Sequence, residues 1–119
     1  MAYDIKLKRA YLAADPGDGV RVLVERLWPR GIARERAAIA HWFKDLAPSA
    51  ELRKWYAHTP ERWPEFQVAY RAELTSADAD LMDELSELCR RGRVTFVYGA
   101  KDEERNSARV LREVILARA

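Results

Sequence analysis

Four side chains with useful chemistry, Glu25, Arg26, Trp28 and Arg30, fall within six consecutive positions. They close the run Val20-Arg21-Val22-Leu23-Val24-Glu25-Arg26-Leu27-Trp28-Pro29-Arg30-Gly31, which starts rich in β-branched residues and stops at a proline and a glycine. An arginine fork matches the oxygens of a carboxylate or phosphate. The chemistry indicated is capture of a small anion by Arg26 and Arg30, with Trp28 as a wall. A second polar group, Tyr98, Lys101, Asp102 and Asn106, follows another apolar run, residues 93–98. It stands at a helix start, where unpaired amides and a positive dipole end favour an anion. Asp45 or Asp102 would orient the cations or act as a base. The same charges have a structural alternative. Arg26 could pair with Asp45 or Asp102 and lock loops together, and residues 101–104 could be a solvated first helical turn.

Other chemistries find fewer residues. His41 and His58 are the only histidines and Cys89 the only cysteine, so no metal-ligand spacing exists and no metal site is expected. Cys89 falls on the apolar side of a helical pattern and reads as core. No nucleophile elbow, phosphate-binding P-loop or dinucleotide fingerprint occurs. Ser49 and Ser107 read as helix-start residues, and His41 and His58 as surface or capping groups. Trp55, Trp63, Phe66 and Tyr70 are interleaved with Arg53, Lys54, Arg62 and Arg71. Such a pattern serves single-stranded nucleic acid, or the aromatics are core and the arginines solvated. No catalytic residue is singled out and no cofactor is expected.

The elements that must place these residues follow from periodicity. Residues 4–12 alternate as a half-exposed strand near a sheet edge. The turn cluster Ala13-Ala14-Asp15-Pro16-Gly17-Asp18-Gly19 predicts a hairpin, hence an antiparallel first strand. Residues 20–27 are apolar on both faces and read as a central strand. Residues 33–40 read as a short helix, and 39–46 as its extension or, preferably, a short strand. Ser49 is expected to cap a helix carrying Leu52, Trp55 and Tyr56. Thr59 and Pro60 open another, with Pro64 in its first turn, where it costs little. Leu81, Met82, Leu85, Leu88 and Cys89 form an amphipathic stripe ending at Gly92. Residues 93–98 are the second buried strand, and a last helix buries Val110, Leu111, Val114 and Ile115. The order predicts a single three-layer α/β domain over residues 1–119. It has a mainly parallel central sheet, helices on both faces and an antiparallel N-terminal strand. If the strands at 20–27 and 93–98 are neighbours, their trailing loops pool cations in one hollow, where ligands of open α/β sheets bind.

Composition bounds the rest. The chain has 119 residues, 49% hydrophobic, enough for one core without disulfides. Its 21 Lys and Arg are nearly offset by 19 Asp and Glu, so a basic footprint would be local. No apolar run approaches the roughly 20 residues that span a bilayer, and the start lacks a signal-peptide core. A cytoplasmic protein with no membrane partner is expected.

Residues 21–31 resemble the signature VLVDRLWPRG of the YeaO-like branch of the domain-of-unknown-function 488 family. Trp42-Phe43-Lys44-Asp45-Leu46-Ala47-Pro48-Ser49 resembles its WLKDLAPS. Leu52-Arg53-Lys54-Trp55-Tyr56 with His58, Pro60-Glu61-Arg62-Trp63, and Thr95-Phe96-Val97-Tyr98-Gly99-Ala100-Lys101-Asp102-Glu103-Glu104 with Asn106 follow the same pattern. The resemblance covers nearly the whole chain. It implies a small bacterial cytoplasmic α/β protein with no established activity, and some similar proteins carry transcription-regulator names. It marks Arg26, Trp28, Pro29, Arg30, Lys44, Asp45, Lys101, Asp102 and Asn106 as motif positions. Ser107 stands where similar proteins often have histidine. The expectation is a pocket for a small phosphate-bearing or carboxylate ligand, built from Arg26, Trp28, Arg30, Lys44, Asp45, Tyr98, Lys101, Asp102 and Asn106. The alternatives are a nucleic-acid-binding or regulatory protein using its Arg/aromatic surface, and a non-catalytic homodimer formed through exposed tryptophans.

Overall fold

Val22, Leu23, Val24, Val94, Phe96 and Val97 are almost completely shielded from solvent. Apolar side chains buried on both faces require layers above and below a strand. In the computed structural model, which describes residues 3–118, these residues form the centre of a four-stranded sheet. The strands are β1 (Ile5–Arg9), β2 (Val20–Leu23), β3 (His41–Trp42) and β4 (Val94–Tyr98). Their order is β1-β4-β2-β3 and every pairing is parallel. Ile5 stands opposite Val94, and Val20 stands opposite Val94 from the other side. The strands expected to be neighbours are therefore adjacent, the first is at an edge, and residues 41–42 are a strand.

The expected antiparallel N-terminal strand is wrong. Residues 13–19 do not reverse the chain as a hairpin. Asp15 instead caps a single 3-10 turn, Pro16–Asp18. Its side chain accepts the Gly17 amide at 2.7 Å, and its own amide donates to Asp18 Oδ2 at 3.1 Å. Residues 10–19 can reach about 30 Å when extended, enough to run back along a five-residue strand. They cross the β4 position and leave β2 running parallel to β1. Asp18 is buried beneath this crossing. It accepts Lys8 Nζ at 3.2 Å and Arg21 Nη1 at 2.7 Å, and its carbonyl accepts Thr95 Oγ1 at 2.7 Å. Gly19 then passes the β4 edge with φ 65°, so close that a Cβ would lie 2.3 Å from the Arg93 carbonyl oxygen.

The two faces of the sheet are unequal. Val22, Val24, Phe96 and Tyr98 share a core with side chains from α2 (Ala50–Tyr56), α3 (Trp63–Thr75), α4 (Ala79–Arg91) and α5 (Ser107–Ala117). Leu23 and Val97 pack on the opposite face against Ala10, Ile32 and Ala37, with Trp28 and Trp42 at the margin. The only α-helix on that side among the described residues is the single turn α1 (Arg34–Ala37). Helices do lie on both faces, but all the long ones lie on one.

Local signals explain the helix ends. Ser49 Oγ accepts the Leu52 amide at 3.1 Å, capping α2 as its sequence suggests. Pro64 sits in the first turn of α3, where its missing amide has no helical partner anyway. Asp78 caps α4, and Asn106 Oδ1 accepts the Arg109 amide at 3.1 Å to cap α5. The last helix thus begins at Ser107, later than the expected Lys101. Thr59 makes no side-chain cap; the 3-10 turn Pro60–Arg62 leads into α3 instead. β2 ends at Leu23 rather than at residue 27, because its last ladder bond is Val24 N to Val97 O, 3.2 Å, and β4 ends one residue later.

Candidate functional site

Where β2 and β4 end, the chain leaves the sheet twice and opens a cleft of about 530 Å³. One wall comes from residues 25–30 after β2. The other comes from Gly99, Ala100 and the start of α5. The C-terminal half of α2 closes the mouth with Arg53, Lys54, Tyr56 and, beyond it, His58. This is the hollow beyond parallel strand ends where such sheets bind ligands. Its lining carries five cationic side chains, Arg26, Arg30, Arg53, Lys54 and Arg105, and one carboxylate, Glu25. Trp28, Pro29, Tyr56 and Phe66 supply apolar surface.

Four of the nine expected residues, Arg26, Trp28, Arg30 and Asn106, line the cleft. They do different work. The Arg26 guanidinium donates to the Pro48 and Ala47 carbonyls at 3.1 and 3.2 Å. It clamps the loop that enters α2, not an acidic partner such as Asp45 or Asp102. Ser49 is fixed by Glu73, which accepts its amide at 2.8 Å and its hydroxyl at 2.6 Å, and Tyr70 donates to the Leu46 carbonyl at 2.6 Å. Trp28 Nε1 donates to the Ile32 carbonyl at 2.7 Å, its ring meets Trp42 edge-on at 5.7 Å, and the Arg34 guanidinium covers it at 4.7 Å. Trp28 is therefore a rigid wall. Asn106 spends its amide group on the Asp102 carbonyl at 3.0 Å and its oxygen on the Arg109 amide. Arg30 is exposed, and its side chain makes no hydrogen bond or ion pair among the described residues.

The other five residues fall elsewhere. Lys44 and Asp45 line a separate depression of about 170 Å³ with His41 and Glu84. Tyr98 is buried in the core, and burial raises its phenol above the usual range. Lys101 is exposed and does not line the cleft. Asp102 ties its own loop together: Oδ1 accepts the Glu104 and Arg105 amides at 2.9 and 3.0 Å, and Oδ2 accepts Arg105 Nε at 2.9 Å. Those bonds hold its carboxyl below the usual range. The pooled hollow exists, but its second wall is Arg105 and Ser107 in place of Lys101.

Arg53, Lys54, Arg105, Ser107 and above all Glu25 belong to the cleft without having been singled out as ligand residues. Strict strand alternation would send Glu25 to the same face as Leu23. The ladder stops at Val24, however, and the chain turns, so Glu25 faces α2 and α5. Trp42 Nε1 holds the Glu25 carbonyl at 2.6 Å. The position a Cβ would take on Gly99 lies 3.5 Å from Glu25 Oε2, so the carboxylate rests on the backbone. Burial pushes the Glu25 carboxyl up to about 6, against the opposing pull of Arg53, the Gly99 amide and the Ser107 hydroxyl. A signal was present in the repeated cations of Leu52-Arg53-Lys54-Trp55-Tyr56, but nothing local says that this helix faces the strand ends.

The turn after α2 is strained. Ala57 and His58 hold φ of 46° and 54°, a left-handed geometry that costs a non-glycine residue about 1–2 kcal/mol. It directs His58 into the cleft wall. His41 lies outside the cleft, and burial pushes the Cys89 thiol up to about 11. The aromatic series is core: Tyr56, Trp63, Phe66 and Tyr70 pack in sequence with centroids 4.6–5.9 Å apart. Trp55 is the one exposed tryptophan among the described residues, and Arg62 covers its ring at 5.2 Å. That leaves little aromatic surface for stacked bases or for a tryptophan-lined dimer contact. No helix among the described residues is long and apolar enough to cross a membrane.

A family model described as "Inactive DUF488-N3 subclade" matches residues 4–119. The chain belongs to that subclade. Within the wider family it is similar to the uncharacterised protein YeaO of Escherichia coli, 37% identical over 108 residues that cover 91% of this chain and 93% of YeaO. It is also similar to uncharacterised proteins of Mycobacterium bovis (Mb3100c) and Mycobacterium tuberculosis (Rv3073c). Each is 42% identical over 114 residues, covering 96% of this chain and 95% of the relative. No solved structure matches the chain. The DUF488 resemblance seen in the motifs is therefore correct.

Proposed function

We propose that this member of the inactive DUF488-N3 subclade binds a small anionic molecule, phosphate-bearing or carboxylate, in the cleft at the ends of β2 and β4, and does not transform it. The observation that carries the reading is the state of the cations. Arg30, Arg53 and Lys54 line the cleft, and none of their side chains is engaged in a hydrogen bond or ion pair among the described residues. Uncommitted cations beside apolar walls are a poised anion site, since hydrogen bonds between charged groups are the strong ones, and half-buried Arg53 gains most because water is partly excluded there. Arg26 and Arg105 already have protein partners and add positive potential, not primary contacts. The inactive character given to the subclade agrees with binding without turnover.

A thermal-shift screen against inorganic phosphate, phosphorylated metabolites, nucleotides and dicarboxylates tests the reading. A bound anion at one hundred times its Kd stabilises by about 2.7 kcal/mol, several degrees for a domain of this size. Unchanged melting across the whole panel at saturating concentrations would contradict it. Truncating Arg53 to alanine is expected to weaken the best ligand about tenfold or more, the loss of a charged hydrogen bond of about 1.5–3 kcal/mol.

A further inference from the structure

We propose, building on the anion cleft above, that its ligand is a hydroxyl-bearing phosphate ester, with the phosphate on Arg30, Arg53 and Lys54 and a hydroxyl donating to Glu25. The key feature is a carboxylate placed inside a site otherwise built of cations. Glu25 is the one acidic side chain in the lining, and it is packed against Gly99 with Oε2 directed at the backbone. A ligand with anionic oxygens and no donor, such as oxalate, would be repelled by it. A ligand that also offers a hydrogen-bond donor turns that repulsion into attraction.

A carboxylate has about four lone-pair sites. The Gly99 amide and the Ser107 hydroxyl lie near enough to Glu25 to favour its charged form, yet its side chain accepts no hydrogen bond among the described residues, which leaves acceptor capacity toward the open cleft. The donor that fills it is a neutral hydroxyl and not an amine, because Arg53 stands beside Glu25 and would repel a second cation. The anionic end is phosphate and not a lone carboxylate, because three uncommitted cations exceed what a single negative charge needs and can serve the charge of about −1.5 to −2 and the three terminal oxygens of a phosphate monoester. Trp28, Tyr56 and Phe66 give the connecting carbon skeleton an apolar wall.

Calorimetric titration of the full chain with ethyl phosphate, glycerol 3-phosphate, glucose 6-phosphate and free glucose tests the inference. The two hydroxylated esters are expected to bind at least tenfold more tightly than ethyl phosphate, with free glucose undetectable. In Glu25→Leu the difference between glucose 6-phosphate and ethyl phosphate should fall below threefold, while ethyl phosphate binds as well as before or better. If ethyl phosphate and both hydroxylated esters bind the wild-type chain equally, the hydroxyl assignment is overturned and the anion cleft stands. A difference that persists undiminished in a folded Glu25→Leu protein also overturns it. If no phosphate ester binds, the phosphate-ester assignment is overturned, and the anion reading fails with it only if the dicarboxylates of the thermal-shift panel also leave melting unchanged. The wild-type comparison decides even where the variant does not fold.

Discussion

Glu25 links stability to pH in a direction opposite to most carboxylates. Its folded value is about 6 against 4.5 for the free side chain. Between those values the folded chain holds more protons than the unfolded one, so stability falls as pH rises. The loss begins near pH 4.5 and is complete above pH 6, and amounts to about 1–2 kcal/mol. Chemical denaturation of Glu25→Gln at pH 8 is expected to show a gain of that order, with no such gain at pH 4. A variant less stable than the wild type at pH 8 would contradict the burial of this carboxyl. Asp18 behaves in the ordinary way. Burial alone would raise its value, but the Lys8 and Arg21 hydrogen bonds hold it below 3.8, so its contribution is lost only in stronger acid. Asp18→Asn would leave the buried Arg21, whose Nη2 already lacks a partner, without its counter-ion. A cost of about 3–5 kcal/mol is expected in a denaturant titration.

Among the elements, the crossing from β1 to β2 depends on one glycine. In Gly19→Ala the new methyl would meet the Arg93 carbonyl at 2.3 Å, in a backbone conformation that L-residues rarely adopt. A loss of about 2 kcal/mol or more, read as a drop in Tm, is expected. A neutral result would mean that the crossing does not press on β4. This crossing also marks the limit of what the residues disclose. The alternation at Ile5 and Leu7, the β-branched run at 20–24 and the stripe at 81–89 named their elements correctly, because each pattern reflects its own burial. Pro16-Gly17-Asp18-Gly19 is compatible with a tight hairpin or with a capped 3-10 turn. What decided between them was the buried network of Lys8, Asp18, Arg21 and Thr95, which exists only after the strands have assembled. The site followed the same rule. The motifs around Arg26, Trp28 and Arg30 marked one wall. Arg53, Lys54 and Arg105 joined them through helix packing that no local spacing encodes, while Lys101 and Asp102 looked like site residues because a charged helix start and a loop cap use the same residue types.

For the molecule as a whole, the parallel sheet fixes where a ligand can sit. Both central strands point their carboxyl ends to one side, and the long helices on a single face bring α2 and α5 to that edge. A chain of net charge +2 thereby gathers five of its cations around one carboxylate. The most direct test of the anion cleft is amide chemical-shift mapping of the ¹⁵N-labelled chain titrated with glucose 6-phosphate. Shifts are expected in residues 25–30, 53–58 and 99–107, saturating with one common Kd, while β1 and the middle of α4 stay unmoved. Shifts centred on the depression at Lys44 and Asp45, or no saturable shifts anywhere, would contradict it.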